Sequence, residues 1–398
     1  VIWTSEHSQR RSNFKHGGYW LMTSSKEVRE IAMKIIKAEI FMVNLEPKVK
    51  RVDAIQSFIS QETPIVRLTT QSGLVGEGYT YTIGTGGSSV IALLKDHLLP
   101  RLIGCDASMI EEIWESLLFS THSTSVGAIT SLSLAAIDTA LWDLKCKRMQ
   151  LPLYKVAGGA KSKMRLYTTE GGWLHLSTQE LVDDALAVKA KGFCGSKIKI
   201  GSENPVRDIA RLDAVRKAVG DDYVIMTDCN QAFKYSEGKQ RAALLEHINL
   251  SWIEEPFLAH DVDSHKKLCE STVIPVAVGE SIYSIQHFKE YLQNNAADII
   301  QVDVARIGGI TPWLKVAHMA ECFNKIVCPH FLMELHVSLC CAITNSRWLE
   351  YIPQLDSVTL APVTIENGFA FPPEEAGLGI RWDWEKIQNE TLVHIVIE

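Results

Sequence analysis

What the 398-residue chain lacks narrows its class first. No apolar run approaches the ~20 residues of a membrane span, so no embedded segment is expected. There is no C-x-x-C pair among the nine cysteines, and their number is odd. Reduced, buried thiols are therefore the better reading than a zinc site or a disulfide framework, even for the adjacent Cys340 and Cys341. A G-x-S-x-G elbow is missing, which leaves a serine hydrolase without support. Gly84-Thr-Gly86-Gly87 is not the G-x-G-x-x-G of a dinucleotide fold. Positive charge is in deficit: 40 Lys and Arg stand against 47 Asp and Glu, a net charge of −7, with a pI near 6.0. That balance argues against nucleic acid or an anionic membrane as partner. Val1–Thr23 carries Arg10, Arg11 and Lys15 against Glu6 and lacks an apolar signal core. It reads as an arm, extended to residue 34, with a transit peptide as the other reading and the cytoplasm as the simplest compartment.

Hydrophobic residues make up 46% of the chain and charged ones 22%, enough for a large core. A strand is expected over Ile35–Leu45, then a polar stretch over Glu46–Glu62 carrying Lys48, Lys50 and Arg51. A second strand, Ile65–Thr70, turns at Gln71-Ser-Gly73 into a Gly-rich loop, Gly76–Gly87. Three helical patterns fill Ser88–Lys147, the last stopping before Pro152. From Arg165 the rhythm changes. Short apolar strands begin near 165, 195, 223, 250, 274, 298, 325 and 347, each but the last followed by a helical pattern. A spacing of roughly 22 to 30 residues is that of a parallel α/β barrel. After Pro353 the pattern is irregular, and that tail is expected to pack on the N-terminal domain. The expected division is an arm (1–34), an α+β capping domain (35–160), a barrel (161–353) and a tail (354–398) that completes the cap.

In such a barrel, catalytic groups gather at the carboxyl ends of the strands. The second strand ends on Lys197-Ile-Lys199. Lysines two apart share a face, and facing lysines lower each other's pKa, which makes a usable base near neutral pH. Solvated lysines at a surface strand end are the alternative. The next three strands end on Asp228, Glu254 and Glu280. Three converging carboxylates repel one another unless a cation lies between them, and Mg2+ is the ion such oxygens suit. Glu255, adjacent to Glu254, should point to the opposite face. The sixth and seventh strands end on Asp303 and His330, so a carboxylate can fix the histidine's tautomer and raise its basicity. The eighth ends on Glu350. His175 lines the pocket or sits in a loop, and His336 faces helix packing or solvent.

The ordered set resembles the enolase superfamily and, within it, the mandelate racemase subgroup. It comprises Lys197-x-Lys199, Asp228-x-Asn230, Trp252-Ile-Glu254-Glu255-Pro256, Gly279-Glu280, Asp303 with Arg306-x-Gly308-Gly309, Pro329-His330 and Trp348-Leu-Glu350. The resemblance implies a modified TIM barrel, (β/α)7β, under the capping domain. It also implies Mg2+ held by Asp228, Glu254 and Glu280, with Lys199 as base on one face of the substrate carbon and His330, paired with Asp303, on the other. Lys197 and Asn230 would hold the substrate carboxylate. Glu350 would hydrogen-bond a developing enediolate and so need a proton. Homo-oligomers are the family's habit.

An enediolate leads either to racemisation or to loss of a β-hydroxyl. The segments Gly171–His175, Gly308–Trp313 and Pro329–His336 look most like the talarate/galactarate dehydratase branch. The expectation is therefore a dehydratase of a sugar acid, an aldarate or aldonate. A racemase of a 2-hydroxy acid is the alternative, and a non-catalytic binding barrel a third reading. Lys48, Lys50 and Arg51 are expected to meet a second carboxylate or hydroxyls. Tyr81 belongs to a hydroxyl-rich run, Tyr79–Thr85, that closes over the substrate.

Overall fold

The structure is a computed structural model that describes residues 33–58, 60–124 and 127–398. The expected arm, up to residue 32, lies outside the described residues. Ile35–Leu45 forms the predicted strand and pairs antiparallel with Gln61–Thr70, which begins earlier than expected. The stretch read as a Gly-rich loop is in part a strand, Val75–Tyr79, on the far edge of Gln61–Thr70. Its glycines have a packing reason. A Cβ on Gly76 would stand 2.3 Å from the carbonyl oxygen of Ala140, and one on Gly78 would stand 2.3 Å from the Ala140 nitrogen. The missing side chains let helix Ala128–Met149 lie directly on the strand. Gly78→Ala is expected to cost about 3 kcal/mol, because backbone rather than a flexible side chain must move. A shift of the urea midpoint at unchanged m-value would show it.

Ala128–Met149 is buried on nearly all sides, wedged between the capping sheet and the barrel. Its carboxylates serve as cross-links. Asp143 accepts from the Glu77 and Leu378 amides, and Asp138 accepts from the Thr311 amide at the start of a barrel helix. Burial, the largest influence, pushes the Asp138 carboxyl up to about 7 against those hydrogen bonds.

The barrel has eight parallel strands and seven intervening helices, the (β/α)7β arrangement. Its strands are Met164–Thr168, Gly195–Lys199, Val224–Asp228, Ile253–Glu254, Val276–Val278, Ile299–Ile300, Ile326–Val327 and Leu349–Tyr351. The ring closes because Leu349 pairs with Leu166, while Val327 exchanges backbone hydrogen bonds with Asn345 and Arg347. Tyr167, Met226, Ala277 and Ile299 from four strands, with Trp252, Cys328 and Trp348 each next to a further strand, form one buried cluster that fills the interior. The polar ends of the same strands are left to face the cap.

The tail does more than pack on the cap. Phe369–Phe371 first pairs with Met164 and Arg165, the edge that the closing strand, starting at Leu166, leaves free. Only then does the chain reach the capping sheet, where Val393–Ile397 pairs with Ile35–Leu45. All nine cysteines are free thiols. Among the described residues no helix is long and apolar enough to cross a membrane.

Candidate active site

A cavity of about 290 Å3 opens between the carboxyl ends of the barrel strands and the cap. It is lined by Lys197, Lys199, Asn230, Glu280, His330 and Glu350 from the barrel, and by Asp53, Gln56, Phe58, Tyr81, Thr82 and Thr85 from the cap. Lys197 and Lys199 reach it together because residues two apart on a strand share a face.

Asp228, Glu254 and Glu280 converge, each offering an oxygen within 4.8 Å of the others, and all three are buried. Burial first and Asp228 next push the Glu254 carboxyl up to about 7. Glu280 Oε2 is buried without a well-formed hydrogen bond, although His330 Nε2 is 3.0 Å away. Three hard, mutually repelling oxygen donors with an unsatisfied lone pair fit a divalent cation of the Mg2+ class. Glu255 stays out of the cluster. Its φ of 38° turns the chain, and its carboxylate accepts from the Ser281 amide.

The lysines are fully interior. Lys197 Nζ lies 2.9 Å from Glu254 Oε1 and 2.9 Å from Glu350 Oε1, and Lys199 Nζ contacts Asp228 Oδ2. Burial works to lower both lysine pKa values, but the carboxylates outweigh it and both are raised. The mutual depression expected from two neighbouring lysines is thus overridden, because each ammonium is in contact with a carboxylate. Glu350 differs from expectation in the same way. Burial favours its protonated form, yet Lys197, His330, the Thr169 hydroxyl and the Phe331 amide hold it ionised. In this arrangement Glu350 anchors Lys197 and the Phe331 loop.

His330 Nδ1 is 2.8 Å from Asp303 Oδ2. Tyr81 donates to the same Oδ2 at 2.9 Å and accepts from Arg306 Nε at 2.9 Å. Burial opposes ionisation of Asp303, but His330 and Arg306 bring its carboxyl down to about 2. Burial would lower the His330 pKa; Glu280 and Asp303 raise it instead. Tyr81 therefore sets the dyad's geometry as well as lining the cavity.

Sequence reasoning left four groups without a role. Gln301 Nε2 donates to Glu254 Oε2 at 2.7 Å, and Arg306 lies against both Glu280 and Tyr81. Their position just after the sixth strand was the available signal. His336 is buried, with Nδ1 on the Phe331 carbonyl and Nε2 accepting from the Val304 amide, so it ties the loop after Asp303 to that after His330. Burial brings its pKa down to about 4, which keeps it neutral for that purpose. Asp53 enters from the cap, and no periodicity announced it. The non-glycine residues Asn230, Gln231, Glu255, Phe331 and Leu332 all have positive φ, a cluster of strained backbone at the ends of the third, fourth and seventh strands.

Three expected substrate contacts are not brought to the cavity, Lys50 being exposed and absent from its lining. Lys48 is exposed and paired with Asp356 at 2.8 Å. Arg51 is buried against Glu170, Gln354 and the Pro353 carbonyl. Arg51 is instead a clasp holding the capping loop to the end of the first barrel strand, helped by the Leu174 amide on the Val52 carbonyl at 2.9 Å. His175 is exposed and does not line the cavity.

Residues 36–158 match the mandelate racemase / muconate lactonizing enzyme N-terminal domain, and 180–386 match the enolase C-terminal domain-like family. The L-talarate/galactarate dehydratase of Salmonella typhimurium is 33% identical over 79% of this chain and 79% of its own length. The arabinonate dehydratase of Saccharolobus solfataricus is 31% identical over 80% of this chain and 87% of its own. The crystal structure of the L-talarate dehydratase from Polaromonas sp. JS666, complexed with Mg and L-glucarate, superposes with a TM-score of 0.87 at 32% identity, covering 92% of this chain and 99% of that one. With both halves matched and the strand-end residues in family order, the chain belongs to the mandelate racemase subgroup of the enolase superfamily.

Proposed function

We propose that this protein is a Mg2+-dependent dehydratase of acid sugars, an aldarate or aldonate in the manner of talarate or galactarate. One arrangement carries the reading: Lys199 and His330 enter one cavity from the second and seventh strands, with the carboxylate cluster of the third to fifth strands between them. Proton-transfer groups so placed can act on two faces of a substrate carbon. The hydroxyls of Tyr81, Thr82 and Thr85 suit a polyhydroxylated chain.

Asp228, Glu254 and Glu280 would hold the metal. When bound, Mg2+ supplies the positive charge that stabilises a dianionic enediolate. Lys197 and Asn230 orient the substrate carboxylate. With Asp228 committed to the cation, its hold on the Lys199 ammonium would be relieved, and Lys199 in its neutral form would take the proton beside the carboxylate. His330, aligned by Asp303, gives a proton to the β-hydroxyl, which leaves as water. The resulting enol tautomerises to a 2-keto-3-deoxy acid. Two opposed bases also suit a racemase or epimerase of a 2-hydroxy acid, in which His330 returns the proton to the α-carbon.

Purified protein with Mg2+ should form 2-keto acid from at least one member of a library of aldonic and aldaric acids. A chelator should abolish the signal and added Mg2+ should restore it. A wholly negative screen, together with α-deuterium exchange on 2-hydroxy acids, would replace the dehydratase by the racemase.

A further inference from the structure

The cap end of the cavity carries a charge opposite to the one the sequence led us to expect. Of the basic candidates there, Lys48 is spent on Asp356 at the surface, Arg51 is spent on Glu170, and Lys50 is exposed and lines no part of the cavity. The cations that do line it, Lys197, Lys199, Arg306 and His330, all belong to the barrel end, and each already faces a carboxylate. Among the described lining residues of the cap, the only charged one is Asp53.

Asp53 is 6% exposed. Its Oδ1 accepts from the Ile55 and Gln56 amides at 2.7 and 2.8 Å, which fixes the carboxylate in the loop that Arg51 clasps. Among the described residues Oδ2 takes no hydrogen bond; burial raises the carboxyl from its ordinary value, and the charge of Lys199 works against that and favours the carboxylate. A fixed acceptor of this kind suits a hydroxyl donor. It repels a second carboxylate brought near it, and the cations that line the cavity already face carboxylates of their own.

We infer that Asp53 is a specificity-determining residue that makes this site one for monocarboxylate sugar acids, whose distal end is a neutral hydroxyl, and excludes diacids. The inference rests on the acid-sugar reading and narrows it to aldonates. Rejection would come from a repulsive element on the cap side of the cavity, while the carboxylate-binding end is the same for both classes.

The test uses the full Mg2+-loaded protein and configurationally matched pairs that differ only in the terminal group, galactonate against galactarate and arabinonate against arabinarate. Two readouts are taken: kcat/KM for keto-acid formation and Kd by calorimetry. The monoacid of each pair should be favoured at least about tenfold in both readouts. Asp53→Asn keeps the Oδ1 acceptor of the turn and removes the charge, so the fold is retained. It should narrow the gap about tenfold, chiefly through tighter binding of the diacid. Preference for the diacids, or a ratio that Asp53→Asn leaves unchanged, overturns the inference while the dehydratase reading stands. If no acid is dehydrated, that reading falls, and the calorimetric ratios still decide the role of Asp53.

Discussion

Replacing Lys199 by alanine is expected to lower turnover by about 10^4-fold for a substrate whose α-proton faces that side of the cavity. The reason lies in the geometry around its ammonium. Lys199 is buried against Asp228 and within 5.4 Å of the Trp173 ring centroid. No other described amine in the cavity can replace it, because Lys197 is held by Glu254 and Glu350. The alanine variant loses the base and keeps the three carboxylates. Calorimetry should therefore show Mg2+ binding retained, and circular dichroism an unchanged fold. Activity near the wild-type level in a folded, Mg2+-binding variant would remove Lys199 from the mechanism.

The second large effect belongs to His330. His330→Asn should abolish dehydration yet preserve slow α-proton exchange at the face served by Lys199. Asparagine can still meet Asp303 and the cavity wall, so the loop keeps its hydrogen bond, but it cannot deliver a proton to a leaving hydroxyl. Deuterium uptake from D2O into recovered substrate, followed by NMR alongside keto-acid formation, separates the two half-reactions. The wild type should show both. Normal dehydration by the variant would take His330 out of the acid role, and loss of exchange as well would mean that the histidine supports the Lys199 side.

The two variants also separate the dehydratase from the racemase. A racemase needs both groups for net inversion, so each single variant would still exchange the proton on one face of one enantiomer. A dehydratase with these roles is asymmetric: Lys199→Ala loses exchange and elimination together, and His330→Asn loses elimination alone.

How much of this was legible without coordinates depends on the range of the interaction involved. Ile35–Leu45 was read with its observed bounds because an apolar run on a strand needs only local periodicity. The strand ends bearing Lys199, Asp228, Glu254, Glu280, Asp303, His330 and Glu350 were readable for a related reason. A repeated strand–helix unit brings every strand's last residues to one face of a barrel, so sequence position stands in for spatial position. The Gly76–Tyr79 stretch was misread as loop because glycine signals freedom in a sequence, whereas here it marks the close approach of a helix more than sixty residues away.

The cap was the least legible part. Lys48, Arg51 and Asp53 lie within six residues of one another, and nothing local distinguishes a surface ion pair, a clasp and a cavity wall. The first two fates are decided by Asp356 and Glu170, partners distant in the chain, and Asp53 lines the cavity in the loop that Arg51 clasps. Charge states followed the same rule. Spacing says that Lys197 and Lys199 share a face, but only the packed site shows each in contact with a carboxylate, which reverses the direction of their pKa shifts. The sequence by itself determined the barrel, the strand-end chemistry and the family, since each rests on a periodic pattern that repeats along the chain. Only the tertiary structure decided which cap residues line the cavity and which charges survive in the site, because both are set by long-range contacts that no period encodes.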